Sequence, residues 1–125
     1  MNQPELIARL KQHSGFWYLA TPYSKYSDGL EAAFVEAAKA AAFLTRHGIG
    51  VFSPIAHTHP VAVYGNLDPL DHTIWLPADA PMMAAAVGMV IVKMDGWQES
   101  YGIKKEIEAF EAMSKPIEYM GWPDV

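Results

Sequence analysis

The sequence predicts an α/β domain: a parallel sheet covered by helices on both faces. Three observations carry this. The runs Phe16–Ala20 and Met89–Val92 are continuously apolar, as strands buried on both sides are. The stretches 30–46 and 100–113 place apolar residues at spacings of three and four, the period of an amphipathic helix. Segments of the two kinds alternate along the chain, which fits parallel strands joined by right-handed crossovers.

Taken in order, Pro4–His13 carries Leu6, Ile7 and Leu10 at helical spacing, and Gly15 ends that short leading helix. The first strand, Phe16–Ala20, runs into the hydroxyl-rich loop Thr21-Pro22-Tyr23-Ser24. Ser27-Asp28-Gly29 precedes a long helix over 30–46, with Leu30, Phe34, Ala37, Ala41 and Leu44 on its inner face and His47-Gly48 at its end. Ile49–Ser53 reads as a second buried strand, stopped by Pro54. The segment from Ile55 to Pro77 is expected to be the least regular, because histidines, prolines, Gly65 and Asn66 punctuate it; a short helix is expected around Asp71–Leu76. Asp79 then caps a further helix, with Pro81 in its first turn and Met82, Met83 and Ala86 turned inward. The central strand Met89–Val92 follows, then a helix over 100–113 and a last strand from Lys115 to Met120. No repeat or linker divides the chain, so its 125 residues are expected to form one domain.

Composition narrows the function classes. Half of the residues are hydrophobic and 18% are charged, which suits a packed globular chain. The formal charge of −5 argues against a nucleic-acid polymer as partner, which needs a basic face. There is no cysteine, hence no disulfide, thiolate nucleophile or cysteine zinc site. The beginning of the chain lacks a signal-peptide layout, and the longest apolar run, Met82–Val92, is too short to span a bilayer. A cytoplasmic protein with no membrane partner is the expectation.

The chemistry is expected where the central strand gives way to the next helix, since ligands of open α/β sheets collect at strand carboxyl ends beside helix N-termini. Ser100 can cap that helix, and Gly102 admits a ligand, an anion above all, close to its first turn. Glu106 lies at the border of the stripe formed by Ile103, Ile107 and Phe110. A carboxylate there is either stabilised at the rim by the helix dipole or turned into a pocket. Tyr18, Thr21–Ser24, Ser53, Asp95, Ser100 and Glu106 all fall at the same sheet edge. A carboxylate nucleophile, a second carboxyl as acid and an anion site would suit transfer at a sugar's anomeric carbon. His57-x-His59 with Asp68, Asp71 and His72 has the chemistry of metal ligands, the basis of a lesser alternative, a metal-dependent hydrolase. Among the aromatic residues Trp17, Tyr23, Trp75, Trp97 and Trp122, it is Trp75 and Trp97 that fall in loops framing such a pocket, where a planar base could stack. No Gly-x-Ser-x-Gly, Walker or dinucleotide motif is present.

Two motifs together resemble the nucleoside 2-deoxyribosyltransferase superfamily, which includes the deoxynucleotide N-glycosidases. They are Tyr18-Leu19-Ala20-Thr21-Pro22 and Ser100-Tyr101-Gly102-Ile103-Lys104-Lys105-Glu106. Over most of its length the chain also resembles DUF1937, through Tyr18–Tyr23, Ser53–Pro60 and Gly96–Glu106. The resemblance implies a three-layer Rossmann-like, or flavodoxin-like, sheet of the N-(deoxy)ribosyltransferase type. It implies Glu106 as nucleophile, Tyr18 as the group orienting it, and an acid near the leaving base, best matched by Asp79 and next by Asp71. Ser100 would hold the sugar's 5′ end, as in members acting on 5′-monophosphates. Thr21, Pro22, Tyr23, Ser53, His59, Asp71, Asp95, Trp97 and Gly102 complete the expected binding set. Two departures stand out: Thr21 replaces the family's usual glycine, and the histidine-bearing stretch from Ser53 to Pro77 has no clear counterpart in the transferases. No cofactor is implied, a homo-oligomer is, and the partner is a nucleoside or nucleotide. The expected function is cleavage or transfer at an N-glycosidic bond; the alternative is a nucleotide-binding module without chemistry.

Overall fold

The computed structural model describes residues 3–122. Among them, β1 (Phe16–Ala20), β2 (Gly50–Phe52), β3 (Gly88–Lys93) and β4 (Ile117–Gly121) form one all-parallel sheet in the spatial order β2-β1-β3-β4. Five α-helices accompany it: α1 (Gln3–Leu10), α2 (Leu30–Arg46), α3 (Pro54–Gly65), α4 (His72–Ala85) and α5 (Tyr101–Ala112). The α/β class and the three-layer, Rossmann-like arrangement are as the sequence predicts. None of these helices is long and apolar enough to cross a membrane.

Because successive strand residues face opposite ways, the two central strands divide the core. On one face Trp17 and Leu19 of β1 and Val90 and Val92 of β3 pack against Leu6 and Leu10 of α1 and Ala40 and Leu44 of α2. On the other, Tyr18 and Ala20 of β1 with Met89 and Ile91 of β3 meet Met83 of α4 and Ile103 and Phe110 of α5. Both strands are therefore apolar without interruption. By contrast β2 is an edge strand, paired only to β1 and half-buried, and not the buried strand its composition suggests.

Three further expectations are corrected. The buried stripe of α2 is Ala33, Ala37, Ala40 and Leu44, rotated one position from the expected face. Small side chains let α2 approach the sheet closely, while Phe34 turns aside to stack on His59 of α3 at 4.7 Å between ring centroids. The stretch from Ile55 to Pro77 is mostly helical. Pro54 opens α3 in the first turn, where its missing N–H costs nothing. Pro77 and Pro81 lie inside α4, four apart on its exposed side, where the carbonyls they leave unpaired can be hydrated. Finally, Asp79 does not cap a helix. The cap of α4 is Asp71, whose Oδ1 accepts from the backbone N of Thr73 at 3.0 Å and from its hydroxyl at 2.6 Å. Asp79 lies two turns further along, buried.

The chain leaves β1 for β2 on one side and returns to place β3 on the other. The loops after β1 and β3 consequently diverge, opening the crevice in which open α/β sheets bind ligands.

Candidate active site

That crevice is walled by five segments, one of them the connection between α3 and α4 with Pro69 and Leu70. The loop after β1 contributes Thr21 and Tyr23, α3 contributes Ile55 and Thr58, and the start of α5 contributes Ser100 and Gly102. From α4 come His72, Trp75, Leu76 and Asp79, which follow the spacing i, i+3, i+4, i+7 of a single helix face. The cleft is narrow, with an internal volume of about 70 Å³.

Glu106 is part of its lining. The buried stripe of α5 is Ile103, Glu106 and Phe110, with Ile107 only half-buried, so the border position read from spacing is in fact an inward one. The helix is set in place by Ser100, whose hydroxyl accepts from the backbone N of Ile103 at 3.2 Å. Replacing Ser100 by Ala should therefore lower stability by about 1 kcal/mol, measurable by urea denaturation.

Tyr18 points to the same face, fully buried between Phe52 and Phe110, and its hydroxyl donates to Glu106 Oε2 at 2.7 Å. Burial raises the Glu106 carboxyl to about 8; the Tyr18 hydrogen bond opposes the rise and the Asp79 charge adds to it. Burial likewise raises Asp79 to about 6, against the lowering effect of His57. Tyr18 itself is pushed far above the ordinary tyrosine range, first by burial and then by the Glu106 and Asp79 charges, so it remains a phenol that can only donate to Glu106. Between about pH 6 and pH 8 the two carboxyls thus carry one proton and one negative charge between them.

The family model described as "Domain of unknown function (DUF1937)" matches residues 15–122, a span holding all four described strands and every residue that lines the cleft. The chain belongs to the DUF1937 family. No curated protein matches it.

In this DUF1937 chain the predicted residues separate into two groups. Tyr18, Thr21, Tyr23, Asp79, Ser100, Gly102 and Glu106 are brought together at the cleft. Pro22 is buried within the loop after β1, and Ser53 is the cap of α3, accepting from the backbone N of Ala56 at 3.1 Å. His59 stands behind Tyr23, and Asp71 is committed to Thr73. Asp95 is exposed beyond β3. Trp97 packs towards Tyr119, 5.8 Å between ring centroids, and borders a separate depression on the other side of the α5 N-terminus, so it does not frame this cleft. Trp75 does, held by its indole N–H donating to Asp68 O at 2.8 Å. The histidines do not converge: His57 lies by Phe52 and His72 by Tyr101, and no group of three or more metal-ligating side chains comes together among the described residues. Sequence reasoning missed Ile55, Thr58 and the α4 stripe as a unit. Their helical spacing was the available signal, hidden by the prolines.

Proposed function

We propose that this protein cleaves or transfers at the N-glycosidic bond of a nucleoside or nucleoside 5′-monophosphate, with Glu106 as nucleophile. The observation that carries this reading is the buried Glu106 carboxyl, oriented by Tyr18 at 2.7 Å and lining one cleft with a second buried carboxyl, Asp79. It agrees with the likeness of Tyr18–Pro22 and Ser100–Glu106 to the nucleoside 2-deoxyribosyltransferase and N-glycosidase motifs.

The pair holds the complement a double displacement needs, one negative charge and one proton. The Glu106 oxygen bonds to C1′ as the bond from C1′ to the base nitrogen breaks, and the base departs with the proton supplied from the Asp79 side. Water, or the nitrogen of a second base, then attacks C1′, gives its proton to the Asp79 carboxylate and releases Glu106. At rest the proton resides on Glu106, the less acidic carboxyl; for the reaction it passes to Asp79, leaving Glu106 as the carboxylate nucleophile and Asp79 as the acid, a shift favoured by positive charge developing at the sugar. The first turn of α5, with Gly102 beside Ser100, is where a 5′-phosphate would sit.

Since the active form carries one proton, the rate should fall below about pH 6 and above about pH 8. Tyr18→Phe removes a group that holds the Glu106 carboxyl down, so the alkaline limb should move to higher pH as the rate drops. A pH–rate profile of both proteins checks this.

The test of the function is base release across nucleosides and their 5′-monophosphates, read by chromatography. Free base should appear with the wild type. A second reading, a binding module without chemistry, draws on the same protonated Glu106, which as a neutral carboxyl could simply hydrogen-bond a ligand. Ligand binding without base release on any substrate would select it.

A further inference from the structure

Behind the cleft wall lies a chain of three side chains that the proposed reaction leaves unused. The Tyr23 hydroxyl is 2.6 Å from His59 Nδ1, and His59 Nε2 is 3.0 Å from Glu31 Oε1. Tyr23 and His59 are both buried, whereas Glu31 is exposed. The imidazole is further fixed by stacking on Phe34. These contacts join the loop after β1, α2 and α3.

The direction of the hydrogen bonds follows from what each group can give. The Glu31 carboxylate only accepts, so the Nε2 that faces it bears the hydrogen. In a neutral imidazole the other nitrogen, Nδ1, is then an acceptor, and the Tyr23 hydroxyl donates to it. Burial and the Glu31 charge both raise Tyr23, so the phenol keeps that proton to donate. With its hydrogen committed, the Tyr23 oxygen has only lone pairs left to offer. Two residues earlier on the same loop, Thr21 is 4% exposed, and its Oγ1 has no hydrogen-bond partner among the described residues. Both residues line the cleft. A buried hydroxyl without a partner is costly unless something in the cleft satisfies it.

We propose that Thr21 and Tyr23 form a specificity subsite that selects a neutral hydrogen-bond donor on the ligand, a hydroxyl or an amino group, with His59 and Glu31 as positioning residues that fix Tyr23 as an acceptor. An anionic oxygen is disfavoured at Tyr23, because it would face that residue's lone pairs, whereas the Thr21 hydroxyl can accept or donate. This orients the ligand: its donor-bearing edge lies at the β1 loop, and any phosphate lies at the start of α5. The subsite deepens the N-glycosidic reading and rests on it for the identity of the ligand, but the polarity of Tyr23 is a property of the protein alone.

Two measurements test it on the full chain. Nitrogen-15 NMR of the histidine side chains reads the polarity without ligand. The expected result, read at pH 8.5, is a hydrogen on His59 Nε2 and a bare Nδ1, with Glu31→Ala, a change at an exposed position, weakening that preference. A His59 protonated at Nδ1, or at both nitrogens, overturns the proposal. The second is calorimetric binding of three probes: 2′-deoxyadenosine 5′-monophosphate, its 2′,3′-dideoxy analogue and its purine analogue without the 6-amino group. In the wild type, removal of one of these donors should weaken binding about ten-fold, the cost of leaving a buried acceptor unpaired. The loss should shrink to about two-fold in Tyr23→Phe, while removal of the other donor costs the same in both proteins. Which donor behaves so tells sugar from base. Equal losses in wild type and Tyr23→Phe for both donors overturn the subsite even if every probe binds. Failure of all three probes to bind the wild type counts against the N-glycosidic reading, and the NMR result still decides the polarity of Tyr23.

Discussion

Glu106→Gln should abolish base release, lowering the rate by at least about a thousand-fold, because an amide cannot serve as the nucleophile. The same change should make the protein more stable in alkaline solution. The folded protein holds the Glu106 carboxyl near 8, against an ordinary value of 4.5, so the native state binds a proton more tightly than the unfolded chain does. Stability therefore falls as pH rises from 4.5 to about 8, and the full penalty, on the order of 3–5 kcal/mol, remains above that. Gln keeps an oxygen to accept from Tyr18 and carries no charge to bury. Thermal melts of wild type and variant should coincide near pH 4.5 and separate towards pH 8.5, with the variant melting higher. Coincident melts throughout would mean that the carboxyl is not desolvated as the structure has it. Loss of activity together with a gain in stability is the mark of a group kept for function at a cost to the fold.

The second large effect is expected at Gly96, which brings the loop after β3 against the loop after β1. Its φ of 88° lies in the left-handed region, and a Cβ added there would stand 2.2 Å from the backbone oxygen of Lys25, in the loop after β1. Neither obstacle is the end of a flexible side chain, so Gly96→Ala must move backbone. The expected loss is about 2–4 kcal/mol, with a fall of about 10 °C in melting temperature. The displaced β1 loop carries Thr21 and Tyr23, so binding should weaken as well. A variant as stable as the wild type would show that the close approach of the two loops is not needed.

Much of this architecture was legible in the chain. The uninterrupted apolarity of Phe16–Ala20 and Met89–Val92 reflects strands with a core on each face, and Ser100 and His47-Gly48 mark helix ends by local chemistry that tertiary contacts do not override. Position put Glu106 and Tyr18 at the carboxyl edge of the sheet and motif likeness gave them roles; spacing alone cannot tell a rim carboxylate from a buried one, because that depends on what packs over the α5 stripe. The poorest reading was of Ile55–Pro77. Proline removes a hydrogen bond wherever it stands, but the cost depends on whether the orphaned carbonyl meets solvent, and the sequence does not say which face is outward. Once α4 is seen as a helix, His72, Trp75, Leu76 and Asp79 fall into register as one wall. The Tyr23–His59–Glu31 chain was not legible, since three residues on separate elements meet only through the packing of α2 against α3.

The claim at the centre of this account is that the Glu106 oxygen becomes bonded to the sugar. An electron-withdrawing fluorine at C2′ slows both displacements by destabilising positive charge at C1′, and a good leaving group restores the first of them. Intact-protein mass spectrometry after incubation with a 2′-fluoro nucleotide bearing a reactive base should show a mass increase equal to the fluorinated sugar phosphate less one water. Peptide mapping should place it on Glu106, and Glu106→Gln should remain unmodified. An unmodified wild type that still binds the compound, and releases no base from any natural nucleotide, would contradict the mechanism and leave a binding protein in its place.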